Sequence, residues 1–119
     1  MSDAETMYQA TEELAETMKL LSVPPYAGTL SAWRRFTAAA HADGTVSRKH
    51  KELIAIAISL VKGCECCISY HVRSAIAAGA TDDEMKEAAF VAVMMDGGPA
   101  LARMGAVLAA IEAHRKEET

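Results

Sequence analysis

Aromatic side chains are scarce. One tryptophan, three tyrosines and two phenylalanines make up 5% of the 119 residues, yet 51% of the chain is apolar, much of it supplied by 24 alanines. A β-sandwich would draw on more aromatic and β-branched residues and more turn clusters, and a disordered chain would be poorer in Leu, Ile, Val and Met. The sequence therefore reads as folded and helical. Basic residues show no excess: 12 Lys and Arg stand against 16 Asp and Glu, for a net charge of −4, which offers nucleic acid no basic face. Long apolar runs are missing too. The longest nearly apolar stretches, Leu53 to Val61 and Ala88 to Met95, fall well short of the roughly 18 to 20 residues that span a bilayer. Neither nucleic acid nor a membrane is expected as a partner. The start, Met1-Ser2-Asp3-Ala4-Glu5, lacks the basic residues and apolar core of a secretory segment, so a cytoplasmic location is expected.

What is present is helical punctuation. Residues 5 to 21 contain no breaker before Pro24-Pro25, where the rings remove donors and restrict the preceding residue. Leu30 to His41 carries Trp33, Phe36 and a run of alanines, and ends at Asp43-Gly44, a turn dipeptide. Ser47 suits the N-cap of a helix over Arg48 to Lys62, and Gly63 suits its left-handed C-cap. A fourth helix is predicted from about Cys64 to Gly79. Thr81-Asp82-Asp83-Glu84 matches the capping box of a fifth, which runs to about Met95, and Ala100 to about Arg115 closes the chain. The expected fold is a compact all-α domain of six helices covering residues 1–119, with no linker, repeat or low-complexity tract.

Two of these helices have no polar side. Leu53, Ile54, Ile56, Ile58, Leu60 and Val61 surround the third helix, and the run from Ala88 to Met95 does the same for the fifth. Such helices need cover on more than one face. A chain this small has little with which to supply it, so a second subunit is expected against at least one of them. Trp33, Tyr70 and Phe90 read as core or interface anchors.

All three cysteines lie in Cys64-Glu65-Cys66-Cys67. A thiol in the first turn of a helix meets unsatisfied backbone N–H groups that stabilise its thiolate. The spacing of Cys64 and Cys67 puts both sulfurs on one face, close enough to bridge reversibly, and His71 continues that stripe one turn on, where it could relay a proton. Cys66 points about 100° away and reads as a packed spectator. Glu52 lies eleven residues before the Gly63 turn, roughly 16 Å of helix, and His71 eight residues after it, roughly 12 Å; an antiparallel hairpin brings them together. A carboxylate in an apolar helix is costly unless paired, so Glu52 facing His71 would satisfy the acid and hold the ring as a base beside the thiol pair.

Duller uses of the same residues exist. The thiols could simply be buried packing, or Cys64, Cys67 and His71, with Cys66, could hold a structural zinc, although no second C-x-x-C completes a tetrahedral set. Glu52 alone would be a solvated acid in a first turn. His41, His50 and His114 fall near helix ends among polar neighbours and are expected at the surface without a role.

Glu52, eleven residues, Cys64-Glu65-Cys66-Cys67, three residues and His71, followed by the Ala-Ala-Gly-Ala-Thr run from Ala77 to Thr81, resemble the motif of the alkylhydroperoxidase D-like proteins in the carboxymuconolactone decarboxylase superfamily. The likeness covers about Tyr26 to Ala110. It implies an all-helical domain assembled as homotrimers, or as hexamers built from three dimers. It also implies a peroxiredoxin-type oxidoreductase: Cys67 as the peroxide-reactive thiol, Cys64 as proton donor and resolving partner, and Glu52 with His71 as the proton relay. The implied partners are a hydroperoxide substrate and an external dithiol reductant, and no metal or organic cofactor is required. Longer members have an extra helical half that this chain lacks, and often carry His where Cys66 stands. The alternatives are a lactone decarboxylase of aromatic catabolism, a class that generally lacks the redox pair, and a non-enzymatic oligomer with structural cysteines.

Overall fold

A computed structural model describes residues 3–118, which contain α-helices and no strand: α1 (Ala4–Leu21), α2 (Ala27–His41), α3 (Arg48–Lys62), α4 (Glu65–Ala77), α5 (Asp82–Asp96), α6 (Gly98–Ala102) and α7 (Met104–Glu118). The caps are chemical. Asp3, Ser47 and Thr81 each accept a backbone N–H of their helix's first turn, and Thr81 with Glu84 completes the capping box. Lys49 sits 2.9 Å from the Glu84 carboxylate and, with the Thr81 backbone N–H, holds that carboxyl below the usual glutamate range.

The six long helices are those expected, with two differences. α2 begins at Ala27 rather than Leu30, because the backbone N–H groups of Tyr26 and Ala27 both turn back to the carbonyl of Val23. The closing helix is divided, so that a single-turn α6 precedes α7. At the junction Arg103 reaches back to the end of α3, where its Nη1 donates to the carbonyls of Leu60 and Val61 at 3.1 and 3.2 Å. These are the carbonyls a helix C-terminus leaves without partners. The same guanidinium lies over Gly63. That residue has φ +69°, and a Cβ there would lie 2.9 Å from Arg103 Cζ.

α3 packs against both α4 and α5, while α7 lies across α4 and α1. The core is built from Met7, Ile56, Leu60, Ile68, Val72, Met85 and Val107, set among buried alanines of α4, α5 and α7. Small side chains let helix axes approach closely while keeping interior density, which is where much of the alanine goes. Ser69 of α4 ties α1 and α7 together: its hydroxyl meets Thr11 Oγ1, the Met7 carbonyl and, at 2.9 Å, His114 Nε2. His114 is therefore buried, not a surface residue as its polar neighbours suggested. Its other ring nitrogen lies 2.9 Å from Glu117, which explains how the interior accommodates it.

α2 has no buried residue. Tyr26, Trp33 and Phe36 stand exposed on or beside it, the last two at 54% and 69%, so Trp33 is not part of the chain's own core, and neither are Tyr70 and Phe90. The two helices without a polar side divide in the same way. Leu53, Ile56 and Leu60 of α3 are buried while Ile54, Ile58 and Val61 are exposed, and on α5 Ala89 and Ala92 are buried while Phe90, Val91, Met94 and Met95 are exposed. Among the described residues no helix is long and apolar enough to cross a membrane.

Candidate active site

The Gly63 turn folds α4 back along α3, and this places Glu52 and His71 opposite each other across the helix pair. His71 Nδ1 lies 3.0 Å from Glu52 Oε2. Glu52 is fully buried, which excludes the solvated acid of the duller reading. A buried carboxylate without a partner is strongly unfavourable, and the hairpin supplies one in His71.

A second imidazole meets the same carboxylate. His41, the last residue of α2, brings Nδ1 to 3.3 Å from Glu52 Oε1, and its ring meets that of His71 edge-on at 5.8 Å between centroids. This is a correction to the surface placement of His41. The turn between α2 and α3 is tight and well tied. Asp43 Oδ1 accepts the backbone N–H of Arg48 at 2.7 Å, and Lys51 Nζ donates to the Ala42 carbonyl at 2.6 Å. A histidine at the end of one helix, followed by a short Asp-Gly turn, must sit beside the start of the next helix, where Glu52 stands. His50 behaves as expected, exposed with its ring against the Ser47 hydroxyl.

The cysteines lie at the start of α4. Cys64 is its N-cap, in extended conformation, with Sγ accepting the Cys67 backbone N–H. Cys64 and Cys67 are joined in a disulfide across a Cα separation of 5.2 Å. His71 follows Cys67 by four residues, one turn along the same helix face. Cys66 departs from the spectator reading, for it is half-buried with Sγ 3.5 Å from Cys64 Sγ. The step of about 100° that separates it from Cys67 around the helix stands, but Cys64 lies just outside the helix in extended conformation, φ −96° and ψ 105°, and its sulfur reaches both first-turn cysteines.

A cavity of about 600 Å³ opens on the His41 side of the acid–imidazole group, lined in part by Trp33, Arg34, Thr37, His41, Arg48 and Tyr70. It reaches His41 directly, and Tyr70 packs edge-on against the His71 ring at 5.2 Å between centroids.

The residues divide into a sulfur cluster and an acid–imidazole cluster. The first can cycle between disulfide and dithiol. In the second, a carboxylate that accepts the Nδ1–H of His71 selects the neutral tautomer whose Nε2 is open to a proton. A thiol pair beside a base held by a third group is the general layout of an activated nucleophile.

The sequence profile of the carboxymuconolactone decarboxylase family matches residues 27–112. Among curated proteins, uncharacterized protein 4 in the cox locus of Paracoccus denitrificans is 39% identical over 71 residues, which are 60% of this chain and 64% of that protein. The chain thus matches slightly less than two thirds of that relative's length. The alkyl hydroperoxide reductase AhpD of Anaeromyxobacter sp. (strain K) is 39% identical over 44 residues, 37% of this chain and 24% of that protein. Among solved structures, a carboxymuconolactone decarboxylase family protein from Legionella pneumophila superposes with a TM-score of 0.83 at 27% identity, covering 97% of this chain and 99% of that one.

Proposed function

This chain belongs to the carboxymuconolactone decarboxylase family, and from that premise we propose that it is a thiol-dependent peroxidase, reducing hydroperoxides through Cys64 and Cys67 with Glu52 and His71 as the proton relay. The observation that carries this reading is the Cys64–Cys67 disulfide at the start of α4, one turn from a histidine whose ring is held by a fully buried carboxylate. The alkyl hydroperoxide reductase among its relatives supports the substrate class.

The chemistry runs in three balanced steps. His71 takes the Cys67 proton, and the thiolate attacks the terminal oxygen of the hydroperoxide. The O–O bond breaks, leaving a sulfenic acid on Cys67 and an alcohol that carries away the proton. The Cys64 sulfur then attacks the Cys67 sulfur, the S–O bond breaks, and the hydroxyl leaves as water with the proton of the Cys64 thiol, which forms the disulfide. An external dithiol reduces that disulfide by exchange and is itself oxidised. Glu52 acts through His71, by fixing its tautomer and orientation. A dithiol-driven cycle suits a reducing compartment, so we place the protein in the cytoplasm.

We also read the protein as a homo-oligomer, a trimer or a trimer of dimers. The support is the unpartnered apolar surface of α2, α3 and α5, whose Trp33, Phe36, Ile54, Ile58, Phe90 and Met94 a second copy of the chain would cover. The peroxidase reading is tested by titrating fully reduced protein, under nitrogen, with an alkyl hydroperoxide. One equivalent should consume two thiols per chain, release one alcohol and leave Cys64 and Cys67 linked in the peptide map. An unchanged thiol count, or equal peroxide loss after all thiols are blocked, would overturn the reading.

A further inference from the structure

The peroxidase chemistry uses Glu52 through one of its oxygens. The other, Oε1, is fully buried and accepts no hydrogen bond, although His41 Nδ1 lies only 3.3 Å away. The ring is near enough to attract the charge but does not point a proton at it. Burying an acceptor and leaving it unmet is costly, so this is a site whose electrostatics are incomplete.

Three helices aim donors at this point: His41 from the end of α2, Glu52 from α3 and His71 from α4. Each offers one ligand-type atom, an imidazole nitrogen or a carboxylate oxygen, and these all lie within 4.8 Å of one another. The imidazole-to-carboxylate separations are 3.0 and 3.3 Å. Metal–nitrogen and metal–oxygen bonds of about 2.0 to 2.2 Å put neighbouring ligands of one ion about 3 to 3.5 Å apart. Both imidazole-to-carboxylate separations fall in that range, one to each carboxylate oxygen, and the third edge is bounded by 4.8 Å. We propose that His41, Glu52 and His71 form a binding site for a divalent transition-metal ion of the zinc class.

The donor set selects the ion. Two imidazoles and one carboxylate, with no sulfur among them, suit borderline ions such as Zn²⁺ over Ca²⁺ or Mg²⁺, which favour all-oxygen shells. An ion here would supply the partner Oε1 lacks and would set two positive charges against one buried negative one. Three protein ligands leave a further position for water, and the cavity bordered by His41 gives access from solvent. The site is distinct from the cysteine cluster, whose three sulfurs form a separate group. One consequence rests on the proposed peroxidase reading: a metal ion on His71 Nδ1 displaces the hydrogen bond that orients the relay, so zinc would hold the thiol chemistry off.

The test uses oxidised full-length protein carrying Cys66→Ser, so that no free thiol remains, and no peroxide; failure of the thiol mechanism therefore leaves it untouched. Titration calorimetry with Zn²⁺ should give one ion per chain. His41→Ala should weaken binding at least about tenfold and Glu52→Gln about a hundredfold, while His50→Ala leaves it unchanged. Cobalt should give ligand-field bands of nitrogen and oxygen donors with no thiolate charge transfer. Circular dichroism of His41→Ala, a partly exposed position, checks that the fold survives. Absence of stoichiometric zinc, or binding indifferent to His41→Ala in the folded protein, would overturn the site. So would binding that appears only on reduction of wild-type protein, with thiolate-to-cobalt charge transfer, because the cysteines would then be the ligands.

Discussion

Replacing Cys67 by serine is expected to lower hydroperoxide turnover by at least about 10³-fold, the scale on which loss of a nucleophile disables a catalytic unit. Cys64→Ser should lower steady-state turnover as severely, but for a different reason and with a different residue on the protein. Without Cys67 nothing is oxidised at the site. Without Cys64 the first step still runs once, so a sulfenic acid accumulates on Cys67 and dimedone should trap it there, adding its mass to that peptide alone. The pair of variants separates attack from resolution. Cys66 lies within 3.5 Å of Cys64 Sγ and could substitute as a resolving thiol, so the trapping is best done with Cys66→Ser in the same chain. Sustained turnover in either single variant with Cys66 also removed would rule out the two-cysteine cycle.

Glu52→Gln should lower turnover by about 10² to 10⁴-fold, the usual contribution of a positioned acid–base group. Glutamine fills the same volume, so α3 and its packing on α4 should survive, whereas alanine would leave a cavity in addition to two imidazoles without their shared acid. The amide cannot replace an anion held between His41 and His71 at 3.3 and 3.0 Å. The defect should narrow as pH rises, because a thiol ionised by solvent needs no base. Steady-state rates for wild type and variant between pH 6 and about 9 read this directly. A deficit constant across that range would mean that Glu52 shapes the site without serving the proton transfer.

Much of the architecture was legible in local punctuation. Ser47 and Gly63 bound α3 at the residues expected of them, and Thr81 with Glu84 opens α5, because caps act through backbone groups a few residues away. The meeting of Glu52 and His71 followed from the same logic: a glycine turn between two helices of known length fixes what lies opposite what. His41 and His114 have polar neighbours in the sequence, but their surroundings are set by residues 11 and 45 positions away, Glu52 and Ser69. The closeness of Cys66 to Cys64 comes from the N-cap residue, which lies just outside the helix, where the helical angle between Cys66 and Cys67 says nothing of it. At the split between α6 and α7, Arg103 reaches across to α3, a long-range contact that no local pattern announces. The apolar circumference of α3 and α5, by contrast, was plain in composition, and in the single chain their outer faces are open.

The proposed cycle requires Cys67 to be an activated thiol. Its most direct test is the pH dependence of iodoacetamide alkylation on native, reduced, chelator-treated protein, with mass spectrometry locating the label. Cys67 should be labelled ahead of Cys66 and reach half its maximal rate well below the pH of about 8.5 at which an unperturbed thiol ionises. Three thiols that stay unreactive until the protein is denatured, or a Cys67 no faster than an ordinary thiol, would contradict it.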